Sequence, residues 1–484
     1  MKKEVFEHNI NINRRHFFKK AALGFGGVAL GSLLVPDLLS GSKSTTEQPI
    51  LGLKHFASKA KRIIMLTQNG APSQLESFDY KPKLRDMFGQ ELPDSVRAGQ
   101  RLTGMTSKQA SLPLVGSKFD FKQHGKSGAW VSGLFPNIAK ITDDLCIIKS
   151  MHTDAINHDP ALTFLQTGAQ VGNRPSIGSW LSYGLGSENQ NLPAFCVLLS
   201  KGKGNGQGVY SKLWGNGFLD STHQGVQLSA SEDPILYLNN PKGIDTESRR
   251  KMLNHLGKLN EMGFDEFGDP EIKAKIKQYE MAFRMQTAVP EITDVSSEPD
   301  HIKKLYGADS MIPGTYAANC LLARKLSESG VRFVQLYHQG WDQHNNLGNE
   351  MKGQAKDVDQ ASVALITDLK QRGLLDETLV IWGGEFGRTN YCQGKLTNDS
   401  YGRDHHPRAY SMFMVGGGLK AGTSYGKTDE LGYNIIENPV HIHDLHATIM
   451  HLMGLDHEKL THKHLGRRFR LTDVHGHVVN DIIA

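Results

Sequence analysis

The chain has 484 residues, of which 38% are hydrophobic and 22% charged, with a formal net charge of +5. This is an ordinary globular composition, and the length allows one large domain or two medium ones. Beyond the N-terminal segment no basic run is long enough to predict a nucleic-acid partner. The four cysteines are scattered without a C-x-x-C spacing. Both buried free thiols and one or two disulfides are therefore compatible with the sequence.

The first 40 residues predict an export signal. Arg14 and Arg15 precede an apolar, glycine-rich stretch from Ala21 to Leu34. This stretch is shorter than the roughly 20 residues that a membrane span needs, and its glycines disfavour a buried soluble helix. Paired arginines before such a stretch are typical of the twin-arginine route. We therefore expect the twin-arginine export machinery as a partner, a periplasmic or extracellular location, and membrane contact only through an uncleaved signal.

After a polar linker at 41–60, residues 61–484 are predicted to form one domain with irregular insertions, one of them at 85–125. A helix is expected to start near Pro160, and residues 402–407 are expected to form a loop. Strands alternating with helices predict βαβ units, and hence an α/β three-layer sandwich with a mainly parallel sheet. The predicted strands are 62–67, 145–150, 194–199, 331–337, 378–382 and 411–415, and the other predicted helices are 245–290, 316–329, 357–373 and 443–452.

Polar side chains collect where the predicted strands end. Because ligands of open α/β sheets lie at the carboxyl ends of the strands, these groups are expected to meet at one edge. Imidazole nitrogens together with carboxylate oxygens suit a divalent metal such as Zn, Ca or Mg. Each group alone is weak evidence, since an isolated Asp-x-His is usually a turn. The groups are Gln68 and Asn69, then His152, Asp154, His158 and Asp159, then Asp342 and His344, then Glu385 and Arg388, and finally Asp404, His405 and His406.

Several longer motifs are distributed over nearly the whole chain after the signal. They are 69–82 (NGAPSQLESFDYKP), 340–344 (GWDQH), 384–389 (GEFGRT), 402–407 (GRDHHP), 428–430 (TDE), 443–448 (HDLHAT) and 470–473 (RLTD). These motifs resemble the bacterial family named domain of unknown function 1501. That family is similar in fold to sulfatases and alkaline phosphatases, its members are often called sulfatases, and they commonly carry twin-arginine signals. The resemblance therefore implies an alkaline phosphatase-like sandwich.

The same resemblance implies a metal-binding role for His344, with Asp342 beside it, although Asp here precedes His by two residues rather than four. His405 or His406, next to Asp404, falls where a late metal-binding histidine belongs. Glu385 stands at the Asp of an Asp-His pair and is expected to act as a ligand or a base. Gln68 and Asn69 stand where an Asp is usual in the related enzymes, and Gln68, Asn69 and Ser73 are predicted to bind substrate.

The nucleophile position departs from the sulfatase pattern. His158 stands where sulfatases have Cys or Ser, and Leu162 stands where they have Arg. His158 is predicted to be catalytic, as a nucleophile, a general base or a metal ligand. Arg388 is also expected in the active site, either in a salt bridge to Glu385 or clamping a sulfate or phosphate. The histidines at 441–464 are expected at the surface or in helix caps, with His443 as the exception.

The leading hypothesis is an exported, metal-dependent hydrolase of sulfate or phosphate esters, acting on a small molecule or a polysaccharide. The alternative is a non-catalytic binding protein of the cell envelope, which would use a degenerate cleft of the same fold. A third hypothesis is metal-assisted hydrolysis of a different ester or amide, because a fold does not fix its chemistry.

Overall fold

The computed structural model describes residues 54–229, 235, 238–397 and 400–484. The predicted signal, and the part of the predicted linker before residue 54, lie outside these residues. No helix in the described part of the chain is both long enough and apolar enough to cross a membrane.

The strands pair into one large sheet and several two-stranded ribbons. In chain order they are β1 (Arg62–Asn69), β2 (Phe121–His124), β3 (Ala129–Ser132), β4 (Cys146–His152), β5 (Phe195–Lys201), β6 (Val226–Leu228), β7 (Phe333–Gln339), β8 (Thr378–Gly383), β9 (Gly387–Gln393), β10 (Gly402–His406), β11 (Tyr410–Val415), β12 (Thr423–Tyr425), β13 (Lys427–Thr428), β14 (Ile435–Glu437), β15 (Val440–His441), β16 (His462–His464) and β17 (Arg467–Phe469).

The α-helices flank this sheet and fill the connections between its strands. In chain order they are α1 (Lys83–Asp86), α2 (Asp94–Arg97), α3 (His158–Thr167), α4 (Ile177–Leu185), α5 (Thr246–Phe267), α6 (Pro270–Thr293), α7 (Asp300–Tyr306), α8 (Tyr316–Glu328), α9 (Leu347–Gln371) and α10 (Ile442–Leu452).

The large sheet has the order β12-β4-β11-β8-β1-β7-β5-β6, and β15 also pairs with β4. Its pairs are parallel except those of β11, which runs antiparallel to both β4 and β8. The predicted α/β fold with a mainly parallel sheet is therefore confirmed.

Both faces of the sheet are covered, which is why its central strands are apolar without interruption. In β1, Ile64 and Leu66 belong to the core that contains the apolar side chains of α8 and α9. The alternate residues Ile63 and Met65 belong to a second core, with side chains from α3, α4 and α10. Because side chains of a strand alternate between faces, one strand serves both cores, and three layers result.

The helix expected near Pro160 begins at His158, as predicted. Three other local predictions differ from the structure. The helix expected from residue 357 begins at Leu347, and the helical stretch expected at 245–290 consists of two helices, α5 and α6. The segment 402–407, expected to be a loop, contains β10, which pairs antiparallel with β9. A short ribbon of this kind depends on a partner strand and not on its own hydrophobic periodicity, so the sequence pattern could not reveal it.

All four cysteines are buried and free.

The histidines of α10 are more buried than the sequence suggested. His441 caps this helix as predicted, together with Asp444. His446, expected at the surface or in a cap, is instead buried, and its Nε2 lies 2.8 Å from the carbonyl oxygen of Leu165. Burial lowers the pKa of His446 to about 3, so the ring stays neutral in the folded protein.

We expect His446→Gln to make stability less dependent on pH. The unfolded His446 has an ordinary pKa near 6.5, so between about pH 6.5 and 3 the unfolded chain binds more protons, and the wild type loses stability as the pH falls. Gln does not titrate but can still donate to Leu165. Urea unfolding from pH 7.5 to 4 should show a shallower slope for His446→Gln, and an unchanged slope for the control His255→Gln on the exposed side of α5.

Candidate metal centre

The site lies at the carboxyl edge of the parallel strands. Asn69 is the last residue of β1, and the segments that follow β4, β7 and β8 supply His158, Asp342 and Glu385 to the same edge. Because β11 runs antiparallel, its first residues lie at the same edge, where Tyr410 pairs with Met151 near the end of β4. The ribbon strand β10, which directly precedes β11, thereby brings in His405.

Three imidazoles surround one carboxylate oxygen. The Oδ1 atom of Asp342 lies 2.8 Å from Nε2 of His344, 3.1 Å from Nε2 of His158 and 3.7 Å from Nε2 of His405. The Nε2 atoms of His344 and His405 are 3.1 Å apart. Within the described residues, these four side chains form a group whose possible ligand atoms all lie within 4.8 Å of one another.

The other ring nitrogen of each histidine has an acceptor of its own. Nδ1 of His158 lies 2.6 Å from a carboxylate oxygen of Glu385, and Nδ1 of His344 lies 2.7 Å from the side-chain oxygen of Gln393. Nδ1 of His405 lies 2.8 Å from the carbonyl oxygen of Ile156, which can only accept. Each Nδ1 therefore donates, and in the neutral ring this leaves the lone pair on Nε2.

This donor set fits a divalent cation. Neutral imidazoles that donate through one nitrogen to a carboxylate or carbonyl and present the other nitrogen to a common point are the usual surroundings of a metal-binding histidine. Facing lone pairs of His344 and His405 would repel each other without a positive charge between them. Three nitrogens and one carboxylate oxygen are ligands that zinc accepts.

The charges of the site agree with this arrangement. Burial alone would raise the pKa of Asp342, but its close contacts with the three imidazoles and the charge of Arg388 lower that pKa far below its usual range. Burial lowers the pKa of His405 to about 4, which keeps its ring neutral and able to bind a metal. Burial opposes protonation of His158 too, yet its hydrogen bonds to Asp342 and Glu385 raise its pKa above the usual value.

Glu385 is fully buried and holds His158 in place. Its carboxylate also accepts the backbone N–H of Gly70 at 3.0 Å. Gly70 has φ +111°, and a Cβ there would lie 2.7 Å from the backbone nitrogen of Asp342. Only glycine therefore allows the segments after β1, β7 and β8 to approach this closely.

Arg388 connects the segments after β1 and β7 through hydrogen bonds. Its Nη2 donates to Oδ1 of Asp342 at 2.8 Å and also to the carbonyl oxygen of Gly70, and its Nε donates to that of Ala71 at 3.0 Å. The side chain is fully buried. Of the two roles considered from sequence, a salt bridge does form, but its partner is Asp342 and not Glu385.

Two of the predicted metal ligands lie outside the group. The carboxylate of Asp404 accepts hydrogen bonds from the hydroxyls of Thr103 and Thr106 and from the backbone of His405. His406 points the other way, with Nε2 2.7 Å from the carbonyl oxygen of Tyr433. Successive residues of an extended strand project to opposite sides, so His405 can face the group only if its neighbours face away.

The residues predicted to bind substrate are tied to the protein. Gln68 accepts the indole N–H of Trp341 and donates towards Tyr316. Ser73 donates to Glu76, which is itself paired with a buried arginine, Arg403. The side-chain nitrogen of Asn69 donates to the carbonyl oxygen of Gln207 at 3.1 Å. In the described structure these three side chains therefore support the edge of the sheet.

Sequence reasoning missed two residues of the site. Gln393 fixes His344, and the side-chain nitrogen of Gln207 lies 2.6 Å from Oδ2 of Asp342. Gln207 belongs to a glycine-rich segment directly after β5. The rule that located the other groups, polar residues after a parallel strand, could also have located this one.

The family model described as Protein of unknown function (DUF1501) matches residues 60–483. The chain belongs to this family. No curated protein matches it in sequence.

Solved structures that are similar to the chain have low identity. The crystal structure of Ps i-CgsB in complex with k-i-k-neocarrahexaose is 11% identical, covers 82% of this chain and 72% of its own, and has a TM-score of 0.37. A TAB5 alkaline phosphatase mutant with Mg bound is 12% identical, covers 82% of this chain and 99% of its own, and has a TM-score of 0.33. The PsFucS1 sulfatase from Pseudoalteromonas sp. is 12% identical, covers 82% of this chain and 68% of its own, and has a TM-score of 0.33. At these values the likeness does not extend to activity.

We expect Arg388→Lys to destabilise the protein by about 2–4 kcal/mol, because lysine keeps the charge but cannot reach the carbonyls of two segments and Asp342 together. Urea unfolding at pH 7.5 measures this change. The control Arg408→Lys alters an exposed arginine and should stay within about 0.5 kcal/mol of the wild type. Equal stabilities of the two variants would contradict the bracing role of Arg388.

Proposed function

We propose that the protein is an exported, metal-dependent hydrolase of sulfate or phosphate esters. The observation that carries the proposal is the convergence of three imidazole Nε2 atoms on Oδ1 of Asp342, with every Nδ1 held by an acceptor. Ester hydrolysis is the chemistry that the family resemblance implies for such a site. Export by the twin-arginine route is proposed from Arg14 and Arg15 and from the short apolar stretch that follows them.

Asp342, His344 and His405 would hold the ion. A divalent ion there would supply a Lewis acid that polarises an ester oxygen and lowers the pKa of water. Three protein ligands leave one position of a tetrahedral ion open for substrate, as in catalytic zinc sites. Of the three histidines, His344 is the one that is only partly buried, so solvent reaches the group on its side.

His158 would then be the reactive side chain. Its Nδ1–H donates to the buried Glu385, which fixes the ring, while Nε2 faces the common centre of the group. Hydrogen bonds to Asp342 and Glu385 raise the pKa of His158, which favours the protonated ring. Such a ring can transfer a proton to a leaving group or, after losing the proton, attack the ester as a nucleophile. Glu385 contributes by position, since it is fully buried.

The surface beside the group favours an anionic substrate. A cavity of about 20 Å³, with room for one water molecule, is lined there by His405 and His406 together with Arg101 and Arg408. Both arginines are exposed, and guanidinium groups bind sulfate and phosphate through paired N–H donors. The two charges would therefore attract a polysaccharide or small-molecule ester that carries such a group towards this edge of the protein.

A second candidate function follows from the same geometry. If His158 is itself a ligand, the ion has four protein ligands, and a tetrahedral site is closed. The protein would then be a non-catalytic, metal-stabilised binding protein of the cell envelope. Metal content and the phenotype of His158 variants distinguish the two candidates.

We expect the purified protein to bind one divalent ion per chain, because the described residues contain one such group. His344→Ala should weaken that binding roughly 100-fold or more, since it removes a ligand. Elemental analysis after dialysis and competition with a chelator measure both quantities. The exposed His255→Ala serves as the control and should bind like the wild type. A wild-type protein without bound metal, even after incubation with zinc, would rule out the proposed function.

We expect His158→Ala to retain the ion within about 10-fold of the wild-type affinity but to lose hydrolysis of aryl sulfate or aryl phosphate esters by about 100-fold or more. The reason is that the variant removes the reactive ring and not one of the three ligands. Metal titration and initial rates on the same preparation test this. If His158→Ala loses the ion as His344→Ala does, and the wild type is inactive, the closed site and the second candidate are favoured.

A further inference from the structure

Gln207 donates a hydrogen bond to the carboxylate oxygen of Asp342 that the histidines do not contact. Its side-chain nitrogen lies 2.6 Å from Oδ2, whereas the three imidazoles and Arg388 lie around Oδ1. The two oxygens of one carboxylate therefore have separate partners. A carboxylate whose second oxygen accepts a strong hydrogen bond is directed towards binding a metal through the first oxygen only.

The position of Gln207 is fixed by the sheet. Its backbone carbonyl accepts the side-chain nitrogens of Asn69 at 3.1 Å and of Gln339 at 2.6 Å, which are the last residues of β1 and β7. Earlier in the same segment, a Cβ on Gly204 would lie 2.1 Å from the carbonyl oxygen of Gly340. The segment thus packs closely against the loop that carries Asp342, and the amide of Gln207 is held where it reaches the carboxylate.

We propose that Gln207 makes Asp342 a one-oxygen ligand and thereby selects zinc over magnesium and calcium. This inference rests on the metal site of the proposed function. With Oδ2 engaged, the group offers an ion one carboxylate oxygen among imidazole nitrogens. Magnesium requires octahedral oxygen coordination and calcium requires six to eight oxygens, often from carboxylates bound through both atoms. Zinc accepts four ligands that are mostly nitrogen.

The proposal assigns a role to a side chain that need not touch substrate. Gln207 acts through Asp342, so it is a positioning residue, and metal selectivity is the property that it should change. A residue that merely filled space in the loop would leave this selectivity unaltered. Outer hydrogen-bond partners of metal ligands commonly change metal affinity about 10- to 100-fold.

The test compares dissociation constants for zinc, magnesium and calcium in the wild type and in Gln207→Met and Gln207→Glu, using the full chain freed of metal. Methionine keeps the length of the side chain but donates no hydrogen bond. We expect Gln207→Met to weaken zinc binding about 10- to 100-fold and to lower the preference for zinc over magnesium. Gln207→Glu adds an oxygen ligand and should strengthen magnesium and calcium binding at least about 10-fold. Asn205→Met, in the exposed part of the same segment, is the matched control and should leave all three constants unchanged.

The outcomes separate this inference from the proposed function. A wild-type protein that binds no metal overturns both. A wild-type protein that binds magnesium or calcium as tightly as zinc overturns the inference alone, as does normal zinc selectivity in both Gln207 variants. Thermal unfolding of the metal-free proteins shows that the variants are folded, so that a lost selectivity is not a lost structure.

Discussion

The site depends on one buried carboxylate. Both carboxylate oxygens of Asp342 have nitrogen partners. Oδ1 faces three imidazoles and accepts a hydrogen bond from Arg388, and Oδ2 accepts one from Gln207. A buried negative charge is costly unless it is neutralised and hydrogen-bonded, so every segment that reaches it is held in position by that requirement. Together with the neighbouring imidazole nitrogens, this carboxylate forms a group that could hold a metal ion.

The surrounding segments converge because the strands before them are parallel. β1, β7 and β8 lie side by side, and their carboxyl ends deliver Gly70, Asp342 and Glu385 to neighbouring places. Arg388 then fastens these segments through their backbone carbonyls, and Glu385 accepts the N–H of Gly70. The acidic and basic groups that the chain buries here thus also satisfy backbone groups that irregular loops would otherwise leave without partners.

Much of this arrangement could be predicted from the sequence, for reasons that individual residues illustrate. The uninterrupted apolar run in β1 predicted a strand covered on both faces, and the polar residues after the strands predicted the edge where the site lies. His158, Asp342, His344 and His405 were among the expected residues, and the structure brings them together. Gln207 was not expected, although it follows the parallel strand β5, so the same rule applied to the segment after β5 could have included it.

The sequence by itself determined the fold class, the edge of the sheet that carries the polar groups, and the residue types that could bind a metal, because these follow from periodicity and from strand order along the chain. Tertiary structure alone decided which neighbours point inward. His405 faces Asp342 whereas Asp404 and His406 bind Thr103, Thr106 and Tyr433, because β10 pairs with β9 and so fixes which side each residue faces. The direction of a side chain depends on its partner strand, and a sequence read on its own contains no record of that pairing.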